Sequence, residues 1–127
     1  MINNNYINSL ANLAPWNMTT VIRTHYLIKP HVMDRKVNRM IKSSKIKNVF
    51  YVLENDYEIG LQEKSLRINH AHLLIAGDSS LTRYELAKLV GINSKAVLEI
   101  ENIKSTKAIC KYVTKYIHHN DSHHNFF

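Results

Sequence analysis

An α+β domain built on one antiparallel sheet is what this sequence predicts, on three grounds. Four short runs, 18–28, 48–55, 66–76 and 95–103, are rich in β-branched, aromatic and aliphatic residues. Stretches near 32–46, 82–90 and 105–118 instead space their apolar residues as helices do. The resulting order, β-α-β-β-α-β-α, makes the two middle strands a hairpin and closes both halves into one sheet.

Residues 1–17 are Asn-rich and carry Pro15, so a loosely ordered lead-in is expected. Met18 to Ile28 reads as the first strand, stopped by Pro30. In the next segment Val37, Met40 and Ile41 recur among basic residues, a helix with a charged face. Val49-Phe-Tyr-Val-Leu53 marks the second strand, followed by a polar loop with Gly60. The third strand is closed by Gly77-Asp78. Thr82 and Glu85 then form a capping box, Leu81 and Leu86 can staple the helix entry, and Gly91 supplies the stop. Leu98, Glu99, Ile100 and Glu101 alternate as in a strand with one wet face, and Ser105 caps a last helix reaching about His118. Residues 119–127 read as a His-rich flexible tail. The whole fits one domain over 18–118 of ferredoxin-like or RRM-like type, with the helices packed on one face of the sheet.

The chain has 127 residues, enough for one compact core, and 45% hydrophobic with 21% charged residues is a globular balance. Lys and Arg outnumber Asp and Glu 17 to 10, a net +7 that favours a polyanionic partner. Nucleic acid comes before membrane, because no segment is a basic amphipathic helix with a broad apolar face. Cys110 is the single cysteine, so no internal disulfide forms, and its place on an apolar helix face reads as packing. Met1-Ile-Asn-Asn-Asn-Tyr6 lacks the basic and apolar regions of a secretory signal, and no apolar run approaches a membrane span. A cytoplasmic location is expected.

The chemistry concentrates in two places. In Ile68-Asn-His-Ala-His-Leu-Leu-Ile75, strand alternation throws His70 and His72 onto one face and Ala71 and Leu73 onto the other. Two neutral imidazoles side by side are half of a divalent-metal site. Hairpin pairing makes Glu54 the carboxylate best placed to complete it, with Asp56 in reserve. Two imidazoles and a carboxylate suit Mn²⁺ or Mg²⁺, and are also compatible with Zn²⁺. Strand histidines that bind nothing are the plainer reading of that pair. Leu74 stands where histidine-triad nucleotide hydrolases carry a third alternating histidine, which disfavours that enzyme class. His118, His119, His123 and His124 belong to the polar tail.

The second place is Lys111-Tyr-Val-Thr-Lys-Tyr-Ile117. On a helix Tyr112 and Tyr116 stand one turn apart, with Lys115 beside Tyr112. A free phenol is only about one part in a thousand ionised at neutral pH, so a nearby cation and an activated phosphate are what would make it a nucleophile. Lys104, Lys107, Lys111 and Lys115 add a basic stripe suited to a DNA backbone. Against this, Ile109, Tyr112, Val113, Tyr116 and Ile117 also form the stripe of any core-facing helix.

With a His-hydrophobic-His strand followed by Tyr-Val-Thr-Lys-Tyr on a helix, the chain resembles the HUH endonucleases, most closely the rolling-circle replication initiators of plasmids and small phages. The likeness spans most of 18–118, although Ile22-Arg-Thr-His25 departs from the family's usual first-motif strand. It implies a nickase acting on single-stranded DNA at a replication origin in a bacterial or archaeal host. Tyr112 would attack the phosphate to leave a 5′-phosphotyrosine and a free 3′-hydroxyl. Tyr116 would be the second nucleophile, and Lys115 would orient the phosphate or support the phenolate. There is no helicase region or Walker-type loop, so unwinding would fall to a separate helicase and synthesis to a host polymerase. A homodimer that brings two sites to one origin is compatible with the sequence but not demanded by it.

Three rivals compete. A single-tyrosine HUH transposase of a small insertion sequence shares the strand but cuts hairpins at element ends. A non-catalytic nucleic-acid-binding module on the same scaffold would stack bases on Phe50 and Tyr51. A helix-turn-helix repressor is imitated by Glu85-Leu-Ala-Lys-Leu-Val-Gly91, but its reading element would carry Glu99 and Glu101, a poor fit to DNA.

Overall fold

Strand parity explains the architecture. Along 49–53 and 73–76 the residues of both parities are apolar, and a strand of that kind must be covered on both faces. The computed structural model describes residues 4–24, 26, 28–59, 65–115 and 123–127. Its elements are α1 (Asn4–Leu13), β1 (Met18–Thr24), α2 (Pro30–Met40), β2 (Ile46–Ile59), β3 (Ser65–Gly77), α3 (Arg83–Val90), a 3-10 turn (Ser94–Ala96), β4 (Glu101–Asn102), α4 (Thr106–Thr114) and β5 (His123–Phe126). The strands form one five-stranded sheet in the order β4-β1-β3-β2-β5, every pairing antiparallel. The protein is thus α+β.

The helices do not gather on one face. Val49, Tyr51, Leu53, Ala71, Leu73 and Ile75 pack with Met33, Val37 and Met40 of α2 and Leu86, Ala87 and Val90 of α3. On the opposite face Phe50, Val52, Leu74 and Ala76 pack with Ile7 and Leu10 of α1 and Cys110 and Val113 of α4. The expected loose lead-in is largely this first helix. Ile7, Leu10, Ala11 and Ala14 repeat at helical spacing among the asparagines, and the buried Trp16 donates its Nε1–H to Leu10 O at 2.7 Å. Leu10→Ala should therefore destabilise the protein by about 2–5 kcal/mol in urea denaturation, whereas a loose lead-in would lose less than about 0.5 kcal/mol.

The tail departs from expectation too. β5 pairs with β2 as Phe50↔Phe126 and Val52↔His124, and Phe127 exchanges both backbone hydrogen bonds with Val49. Asp34 of α2 ties the three elements together: its carboxylate accepts from the Tyr51 hydroxyl and, at 3.3 Å, from Asn125 Nδ2. The expected strand over 95–103 shrinks to β4 plus one bridge, Ile22↔Val97. The Asn93 side chain caps the 3-10 turn, and the Thr20 hydroxyl takes the Leu98 carbonyl that a continuous ladder would use.

The local signals at the helix ends hold. Thr82 and Glu85 form the reciprocal capping box, Leu81 and Leu86 are buried in one cluster, and Gly91 closes α3 at φ 72°. Gly77 permits a close approach, since a Cβ there would lie 2.1 Å from Lys45 O. Among the described residues no helix is long and apolar enough to cross a membrane.

Candidate active site

β3 is the middle strand of the sheet, so its side chains have neighbours on both sides. Alternation sends Ala71 and Leu73 beneath α2 and α3, and His70 and His72 to the face that carries α4. Directly paired residues share a face, so the register sets their company: Arg23 and Glu54 flank His70, while Val21 and Val52 flank His72. The two imidazole rings lie 6.4 Å apart, centroid to centroid.

Glu54 is only 2% exposed and His72 8%. His72 Nε2 stands 3.5 Å from Glu54 Oε1. A carboxylate is dehydrated at such a position at a cost of several kcal/mol, and only a cationic or hydrogen-bonding neighbour offsets it. Two imidazoles and one carboxylate are suitable in kind for a hard or borderline divalent ion. Among the described residues, however, no three His, Cys, Asp or Glu side chains stand grouped as a metal site. Asp56, the reserve carboxylate, pairs with Ile68 in the ladder, and its side chain lies outside the described set.

α4 supplies the other half. The Ser105 side chain accepts from Ala108 N and starts the helix, so that Cys110 and Val113 face the sheet. Tyr112 then stands at the helix border, 47% exposed. Its ring meets that of His72 edge-on, at 6.2 Å and 76°. Lys115, the C-cap of α4, holds its Nζ 4.1 Å from the centre of the Tyr112 ring. A cleft of about 370 Å³ is lined by both Tyr112 and His72, with Thr19, Val21, Glu99 and Glu101 among its walls. A neighbouring groove of about 470 Å³ runs from Tyr112 past Ser105 to Lys104.

The fold thus links these groups pairwise: Glu54 to His72, His72 to Tyr112 and Tyr112 to Lys115, with His70 next along the strand and Lys104 along the adjoining groove. Lys107 and Lys111 are exposed on α4 and line neither cavity. Tyr116, His118, His119 and His25 lie outside the described residues. Phe50 and Tyr51 are buried, so they cannot serve as the stacking platform that a base-binding module needs. Arg23, Thr19, Glu99 and Glu101 were not assigned to this site from the sequence. The pairing of β1 with β3 and β4 puts Arg23, Thr19 and Glu101 beside the imidazoles and the phenol, and the segment before β4 brings Glu99 to the same cleft; no local spacing announces that.

Cys110 takes no part. It is buried between α4 and the sheet, and burial pushes its thiol up to about 11. The native thiol therefore stays protonated through neutral and mildly alkaline pH. Iodoacetamide at pH 8 should label it far more slowly in native protein than in urea; equal rates would show that this layer is open.

Comparison with known proteins returns no match: no family model, curated protein or solved structure matches the chain.

Proposed function

We propose that this protein nicks and rejoins single-stranded DNA on a ferredoxin-like scaffold, with Tyr112 as the nucleophile and a divalent ion as cofactor. One observation carries the reading: an exposed tyrosine, flanked by a lysine, stands against a strand histidine at the wall of a solvent-open cleft. Glu54, His70 and His72 are the donors proposed for the ion, Mn²⁺ or Mg²⁺ by donor type, and they would have to draw closer together than they stand here to hold it. When bound, it would supply Lewis-acid polarisation of a phosphodiester.

The protein's own groups do the rest. Tyr112 Oη loses its proton to solvent and bonds to phosphorus, and the P–O3′ bond breaks. The 3′-oxygen takes a proton from solvent, and the 5′-phosphate stays on Tyr112. Lys115, whose Nζ stands over the Tyr112 ring, is the cation proposed to orient the phosphate at the phenol. Arg23, beside His70 in the register, is a second cation for the phosphate, and Lys104 tracks the strand along the groove. Rejoining is the reverse reaction, and it needs no further energy because the phosphotyrosine bond conserves that of the diester. Tyr116 is the proposed second nucleophile, as rolling-circle replication would require.

A denaturing gel tests this. The protein, Mn²⁺ and labelled single-stranded oligonucleotides spanning candidate origins should give a covalent band that EDTA prevents. No band with the cognate origin under any divalent ion would reject the nuclease reading. Cleavage confined to hairpin ends would transfer the same chemistry to a transposase.

A further inference from the structure

Residues 29–47 hold seven of the chain's 17 Lys and Arg but a single acid, Asp34. That acid is committed elsewhere, to Tyr51 and Asn125. Arg35, Arg39 and Lys42 follow one another at i, i+4 and i+7, and so stand along one side of α2 and its C-terminal turn. All three are exposed, and among the described residues none has an ion-pair partner. Lys36 and Arg39 converge: a Cβ on Gly91 would find Lys36 Nζ at 3.9 Å and Arg39 Nη2 at 3.8 Å. Lys36 donates to the Val90 carbonyl, which accounts for one of these cations as a cap on α3. Arg39 and Lys42 also compensate the dipole of α2. Neither effect calls for a cluster whose like charges repel one another.

A groove of about 520 Å³ follows this surface, lined by Val32, Arg35, Lys36, Asn38 and Arg39. It lies on the α2–α3 side of the sheet, away from the His72–Tyr112 cleft. We infer that the exposed face of α2 is a second polyanion-binding surface, and that its partner is the phosphate backbone of a nucleic-acid duplex. Single-strand binding combines cations with aromatic platforms, and among the described residues the lining of this groove contains no aromatic side chain. A row of cations without stacking groups suits sequence-independent contact with a backbone. The inference rests on the charge of α2 and does not require the nickase reading.

Fluorescence anisotropy with a labelled random-sequence duplex, titrated across salt, tests it. In R35Q/R39Q/K42Q the slope of log affinity against log salt should shrink by about 2.7, the value for three lost phosphate contacts, and affinity at low salt should fall by about tenfold or more. R39E alone should weaken binding in the same direction, which covers any failure of the triple variant to fold. An unchanged slope and affinity in the folded variants would overturn the inference. So would displacement of the duplex by polyglutamate of equal charge, which would mark the partner as an acidic protein. The triple variant should still form the covalent band on single-stranded DNA, and Tyr112→Phe should still bind duplex, so the two readings fail separately.

Discussion

Tyr112→Phe should abolish the covalent DNA adduct, lowering its rate of formation by about three orders of magnitude or more, while the fold is kept. The substitution removes one hydroxyl and nothing else. The ring that meets His72 and Lys115 remains, and at 47% exposure the side chain contributes little to the core. Stability should stay within about 0.5 kcal/mol of the parent. Tyr116→Phe should keep the first nick and lose only a second transfer. A Tyr112→Phe protein that forms adduct at the parental rate would remove Tyr112 from the chemistry.

The second large effect concerns the ion. Mn²⁺ at about 100 times its dissociation constant should stabilise the native protein by about 2.7 kcal/mol, an upward shift in Tm of roughly 10 °C for a chain of this size. EDTA should reverse the shift. Glu54→Gln keeps the shape of the side chain but removes its charge, and should abolish most of the response. His72→Ala should abolish it as well, and should also lower basal stability by about 1–3 kcal/mol, because the buried Glu54 loses the imidazole at 3.5 Å. If Mn²⁺ moves the Tm of neither parent nor variants, the His72–Glu54 pair is a structural contact within the sheet and the metal role is withdrawn.

How much of this was legible in the sequence depends on the range of the interaction involved. Alternation is local, so the shared face of His70 and His72 could be read from five residues. Helix capping is local too, and Ser105 with the spacing that follows it sufficed to put Tyr112 on α4. The pairing of Glu54 with His70 was reachable because the two strands are consecutive, which leaves register as the only unknown. Arg23 and Glu101 reach the site through pairings between strands distant in sequence, which nothing in their own neighbourhood encodes. The two-sided packing was written in the unbroken apolar runs of β2 and β3 but was masked at the termini. There asparagines hid the Ile7–Leu10 face of α1, and histidines hid the Phe126–Phe127 anchor of β5.

Mapping the attachment point is the most direct measurement. Trypsin cuts after Lys111 and Lys115, which separates the tetrapeptide Tyr112-Val-Thr-Lys115 from the segment that begins at Tyr116. After nuclease trimming of the first-nick adduct, mass spectrometry should find the residual nucleotide on the tetrapeptide. A nucleotide found on any other peptide, or no linkage at all with the cognate strand, would contradict the assignment of Tyr112 as the group that attacks DNA.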